Sequence, residues 1–116
     1  MLVAAGALLA AAGIAAGAFA AHGLKRSLSP EALGWWQTGV DYQMWNAIGL
    51  VALGAAVGVR MGVPGWLIVA GTLVFSGTLY AMALGGPRWL GAVTPIGGAL
   101  MIAGWAFAAW TALRAG

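Results

Sequence analysis

Residues 2–24 read LVAAGALLAAAGIAAGAFAAHGL, and no Asp, Glu, Lys or Arg interrupts them until Lys25-Arg26. A helix crossing a bilayer needs about 20 apolar residues, so this stretch is long enough to span one. It resembles a secretory leader only at Phe19-Ala20-Ala21. It has no positive n-region and is too long for an h-region, so it reads as a retained span.

The same reading extends along the chain. Ser29-Pro30-Glu31 is a helix start: Ser29 can cap, Pro30 suits the first turn, and Glu31 faces the positive end of the dipole. Leu33, Trp35 and Trp36 follow, and tryptophan favours the headgroup level. Residues 30–39 are therefore expected as a short interfacial helix. A second span is expected over about 40–59, ended by Arg60. Gly62-Val63-Pro64-Gly65 reads as a tight turn, and a third span runs over about 66–84 to Gly85-Gly86-Pro87. Trp89 to Val93 reads as an apolar interfacial loop. Thr94-Pro95 reads as the next helix start, with a fourth span over about 95–113. The expectation is one all-α membrane domain over 1–116, a four-helix transmembrane bundle with an interfacial helix between spans one and two.

Composition agrees. Of 116 residues, 63% are hydrophobic and 6% charged, with five cations and two anions. Mean hydropathy is +0.97. A soluble domain this small could not cover its surface with so few charges, since about a quarter of an ordinary domain is charged. The pI near 10.3 does not indicate nucleic acid, because five scattered cations form no basic patch. There is no cysteine and one histidine, which excludes thiolate metal sites and any pair of histidine ligands within the chain. No cofactor or metal is expected. Four spans would put both termini on one side with Arg60 and Arg114, opposite Lys25, Arg26 and Arg88. The positive-inside count is then nearly tied. Termini in the cytoplasm would turn the interfacial helix outward; two opposite orientations of one chain are the alternative.

Water-driven burial cannot join helices in lipid, so small residues mark contact faces. In span one, Gly6, Gly13 and Gly17 form one stripe, and Ala4, Ala11, Ala15 and Ala18 lie roughly opposite. Packing on both sides, and so a central position, is expected. Gly54 and Gly58 in span two, and Gly97 and Gly104 in span four, mark further contacts.

Polar groups gather toward the first loop. His22 ends span one; Gln37, Asp41, Tyr42, Gln43 and Asn46 surround the start of span two; Ser76 and Tyr80 lie on one face of span three; Thr94 opens span four. Amides in lipid need partners. Interhelical hydrogen bonding is the plain reading, and a binding site opening toward the first loop is the sharper one. His22, Tyr42, Gln43 and Asn46 are expected at one depth, with Asp41 at the headgroup level. Ser76 has no Gly-x-Ser-x-Gly elbow around it, and no phosphate loop or dinucleotide fingerprint is present.

Several blocks resemble a known family. They are Phe19-Ala20-Ala21-His22-Gly23-Leu24, Trp36 to Met44, Phe75-Ser76-Gly77-Thr78-Leu79-Tyr80, Thr94-Pro95-Ile96-Gly97-Gly98, and Gly104-Trp105. In that order they resemble the small membrane family catalogued as domain of unknown function 423, related to human transmembrane protein 256. The resemblance implies a four-span protein of the bacterial inner membrane and supplies no activity. The family usually has histidine where this chain has Asn46, so a hydrogen-bonding role survives more readily there than proton or metal chemistry.

The first functional expectation is a non-enzymatic bundle that self-associates or serves as an accessory subunit of a membrane complex. Its partners are the bilayer and other membrane chains, not nucleic acid. A small channel or transporter is the second, and an enzyme acting on lipid headgroups through His22 and Asp41 is the third.

Overall fold

A computed structural model describes residues 1–56 and 59–115. Among them the regular structure is entirely helical, in four long helices: α1 (Leu2–Ser27), α2 (Pro30–Ala55), α3 (Gly62–Ala83) and α4 (Leu90–Ala115). Three of them, α1, α3 and α4, are long and apolar enough to cross a membrane; α2 is not among them. The expected count of four spans is thereby reduced to three by length and composition. The reason lies in Asp41, Gln43 and Asn46, which dilute the apolar character of α2.

The sequence is correct about how α2 begins. Ser29 Oγ accepts the Ala32 N–H at 3.1 Å, and Pro30 occupies the first turn. It is incorrect about a break near Gly39. The expected interfacial helix and second span are one continuous helix, because Gly39 and Val40 follow Trp36-Gln37-Thr38 with no residue that stops a helix.

Two prolines also sit inside helices rather than before them. Gly62 to Gly65 is the first turn of α3, not a loop. Pro64 is its third residue, where an N–H has no intrahelical partner to lose. Pro95 lies in the second turn of α4, which starts at Leu90 rather than at Thr94-Pro95. The first turn winds on N–H bonds from Leu90, Gly91 and Ala92 to Pro87, Arg88 and Trp89 carbonyls. Pro95 then forgoes the bond its own nitrogen would have made. The end of α3 is as the sequence indicated. Gly85 has φ +100°, Gly85 N–H bonds Met82 O, and Gly86 N–H bonds Ala81 O at 2.8 Å. This is a Schellman closure, which needs the left-handed residue that glycine supplies.

One feature had no signal in the sequence. Ala20–Leu24 of α1 is a widened π turn, closed by Lys25 N–H to Ala20 O.

The helices form a flattened bundle measuring 49 × 27 × 17 Å. Packing runs chiefly from α1 to α2, from α2 to α3 and from α3 to α4. Glycines set the close approaches. A Cβ on Gly6 would lie 2.7 Å from Ala47 O, and one on Gly54 2.7 Å from Val3 N. A Cβ on Gly97 would lie 2.7 Å from Gly71 O, and one on Gly104 3.0 Å from Pro64 O. Gly13 faces the Met44 sulfur, while Gly17 meets only Val40 at an ordinary 3.5 Å. Gly58 lies outside the described residues. The alanine face of α1 (Ala4, Ala11, Ala15, Ala18) is exposed, so α1 is an edge helix and not a central one.

Candidate functional site

Two apolar clusters close the bundle at its ends. One joins Leu2, Leu50, Met61, Ile68 and Ala108; the other joins Ala20, Leu24, Trp36 and Ala83. Between them lies a polar layer of Gln43, Asn46, Thr72 and Ser76, all buried.

Each member of the layer is held by its neighbours. Gln43 Nε2 donates to Leu9 O at 2.8 Å, and Gln43 Oε1 accepts the Tyr80 hydroxyl at 2.7 Å. One side chain thus links α1, α2 and α3. Asn46 Nδ2 donates to Tyr42 O at 2.7 Å and to Met101 Sδ at 3.1 Å, and its Oδ1 accepts the Trp105 indole N–H at 2.7 Å. Asn46 therefore ties α2 to α4. Ser76 Oγ donates to Gly39 O at 2.7 Å, and Thr72 returns its hydroxyl to Ile68 O. Nearer the first loop, the Thr78 and Thr94 hydroxyls meet at 2.6 Å. Among the described residues no buried side-chain nitrogen or oxygen lacks a partner. In a medium without water this matters, because an unpaired amide there costs several kcal/mol, of order 2–7.

The remaining singled-out residues lie elsewhere. His22 is exposed on the π turn. Gln43 is bonded to Leu9, thirteen residues before His22 and about 20 Å away along α1. His22 therefore does not share the depth of Gln43 and Asn46, contrary to expectation. Tyr42 is exposed and packs its ring on Phe75 and Trp45, with centroids 4.6 and 4.9 Å apart. With Asn46, Met101, Ile102 and Trp105 these rings line an outward-facing groove of about 730 Å³. Gln37 and Asp41 are exposed on a different face of α2. With Gly17, Ala20 and Val40 they line a small pocket of about 200 Å³.

Two tryptophans carry more than the sequence suggested. Trp36 was expected at the headgroups; it is buried, and its indole donates to Ala16 O at 2.9 Å, just before the π turn. Trp105 supplies the partner that Asn46 needs. No spacing rule links residues 16 and 36 or 46 and 105, so only the folded contacts reveal them.

Apolar helices of spanning length tied together by an internally saturated polar layer define a small helical membrane protein. A profile of the family described as "Protein of unknown function (DUF423)" matches residues 16–98, and the chain belongs to that family. It is 45% identical over 103 residues to a UPF0382 membrane protein of Staphylococcus haemolyticus, covering 86% of this chain and 84% of the relative. It is 38% identical to the UPF0382 membrane protein YwdK of Bacillus subtilis, covering 86% and 85%. It is 36% identical to the UPF0382 inner membrane protein YgdD of Escherichia coli, covering 87% and 80%. No solved structure matches.

Proposed function

We propose that this chain is a four-span inner-membrane bundle that works by association, as an accessory subunit or scaffold of a larger membrane complex. The observation that carries the reading is the saturation of Gln43, Asn46 and Ser76 within the fold. Their hydrogen bonds join helices and leave no polar group turned inward for a substrate.

The fourth crossing is α2. Its support is the spacing of the tryptophans. Trp35 and Trp89 lie toward the first-loop end, with Arg88 stacked 5.8 Å from the Trp35 ring. At the other end Arg114 stacks 5.7 Å from Trp110. Gly54 and Gly65 both rest on Leu2, so Trp66 is level with Gly54. Along α2 the separation from Trp35 to Gly54 is about 28 Å, and along α4 from Trp89 to Trp110 about 31 Å. Both match a hydrocarbon core of about 30 Å bounded by aromatic belts.

This spacing revises the depth expected for Asp41. It lies six residues beyond Trp35 on a continuous helix, about 9 Å inside the belt rather than among the headgroups. A small transporter is the second reading, and an intramembrane carboxylate favours it. Asp41 is nevertheless exposed in a small surface pocket between α1 and α2 and not in the buried polar layer, which favours association.

Purification from native membranes in mild detergent, with mass analysis of what travels with the chain, tests the proposal. A stoichiometric companion, or a defined homo-oligomer without solute flux in proteoliposomes, supports it. A monomer that conducts a solute overturns it.

A further inference from the structure

Asp41 is a carboxylate within the hydrocarbon on the reading above, and this inference rests on that reading. It is exposed on the outer face of α2, in the pocket shared with Gln37, Val40, Gly17 and Ala20. Among the described residues the single ion pair is Arg88 with Glu31, near the first loop. Asp41 has no such partner. An ionised carboxylate facing acyl chains is costly, and such residues pair with a cation when the assembly is complete.

No lysine or arginine of this chain supplies a cation at that depth. All five of its Lys and Arg residues lie at or beyond the tryptophan belts: Lys25, Arg26 and Arg88 at one end, Arg60 and Arg114 at the other. A second copy, parallel or inverted, brings none of them to the depth of Asp41. The pocket is shaped for a close neighbour. Its α1 wall includes Gly17, half-buried and without a side chain, which allows a helix to approach the backbone, while Ala20 lies buried at its floor. Its α2 wall offers the Gln37 amide one turn above the carboxylate, ready to accept a second N–H from the same cation.

We infer that Asp41 and Gln37 form the docking point for a transmembrane helix of a different protein. That helix carries a lysine or arginine about 9 Å inside the membrane surface. The docked cation neutralises Asp41, and Gly17 lets the helix come close to α1.

The chain has no cysteine, so one cysteine added at its C terminus takes a single donor dye. The probe is a synthetic leucine–alanine transmembrane peptide of about 22 residues, bearing an acceptor dye and one lysine at the matching depth. Both are reconstituted in phosphatidylcholine vesicles, and energy transfer is followed against peptide density. The lysine peptide is expected to associate about tenfold more strongly than the same peptide with glutamine in that place, a difference of about 1.4 kcal/mol. Asp41→Asn should erase the difference while melting no lower than the wild type, since the side chain is exposed. Equal association of the two peptides with the wild type overturns the inference. So does an undiminished lysine preference in Asp41→Asn, or displacement of the peptide by equimolar stearylamine, which would make a free amine the occupant. A companion that co-purifies equally with wild type and Asp41→Asn also overturns the docking point but leaves the accessory-subunit reading standing.

Discussion

Gln43 is the residue whose side chain ties three helices, α1, α2 and α3, to one another. Its loss as Gln43→Leu strands the Tyr80 hydroxyl and removes one of the two side-chain hydrogen bonds from α2 to α1, leaving that of Trp36 to Ala16 O. Interhelical hydrogen bonds in membranes contribute about 0.6 kcal/mol on average and up to about 1.7, so the pair should cost on the order of 1–2 kcal/mol. Thermal melting in detergent reads this directly, and an unchanged midpoint would show that the bonds add nothing. Asn46 offers a finer test. Asn46→Leu leaves the part-buried Trp105 N–H without its acceptor. Asn46→His keeps an acceptor nitrogen for it. The histidine variant should therefore melt above the leucine variant. If the two melt together, the role of Asn46 is filling space and not hydrogen bonding.

The crossing of α3 and α4 is where single atoms decide how helices meet. Gly71 and Gly97 each face the other's carbonyl, and a Cβ on either would sit 2.7 Å from it. Gly97→Ala should force the helices apart and destabilise the protein by about 1–3 kcal/mol, as overpacking does elsewhere. Gly77→Ala on the same helix α3 meets nothing within 4 Å. It should leave melting unchanged or raise it by up to about 1 kcal/mol in equivalent stability, because alanine is the better helix former. Comparing the two separates packing from propensity. Element ends show what the sequence could convey. The Ser29 cap and the Gly85 closure are local chemistry and were legible. Pro64 looked like part of a tight turn and Pro95 like a helix start, because proline is common in both places. Whether a helix has already begun a turn or two earlier is set by the residues it docks against, here Leu2 against Gly65 and the Thr78–Thr94 contact. Trp36 was misplaced for the same reason: tryptophan's preference for the headgroups yields when a carbonyl such as Ala16 O accepts its N–H inside the fold.

At the scale of the whole molecule, the number of crossings turns on α2. The charge-free run at 2–24 made the membrane class plain, but the polar layer lowers the apolar character of α2, so composition alone finds three spans. The packing that favours the fourth is that α2 lies between α1 and α3 and buries its Gln43 and Asn46 amides in the bundle. The two counts differ in one accessible observable. Three crossings put the N and C termini on opposite faces of the membrane, and four put them on the same face. Reporters active only in the cytoplasm, fused in turn to the N terminus and the C terminus, should therefore give matching signals. The cytoplasm is the expected face, because the polar pocket and the Arg88–Glu31 end then look outward. Opposite signals from the two fusions would leave α2 lying along the surface, remove Asp41 from the hydrocarbon, and with it the need for a cationic partner. A third reporter between Ser27 and Pro30 completes the test. With four crossings in one orientation it is silent when both termini report. Signal from all three positions would mean that the nearly tied charges let the chain insert both ways.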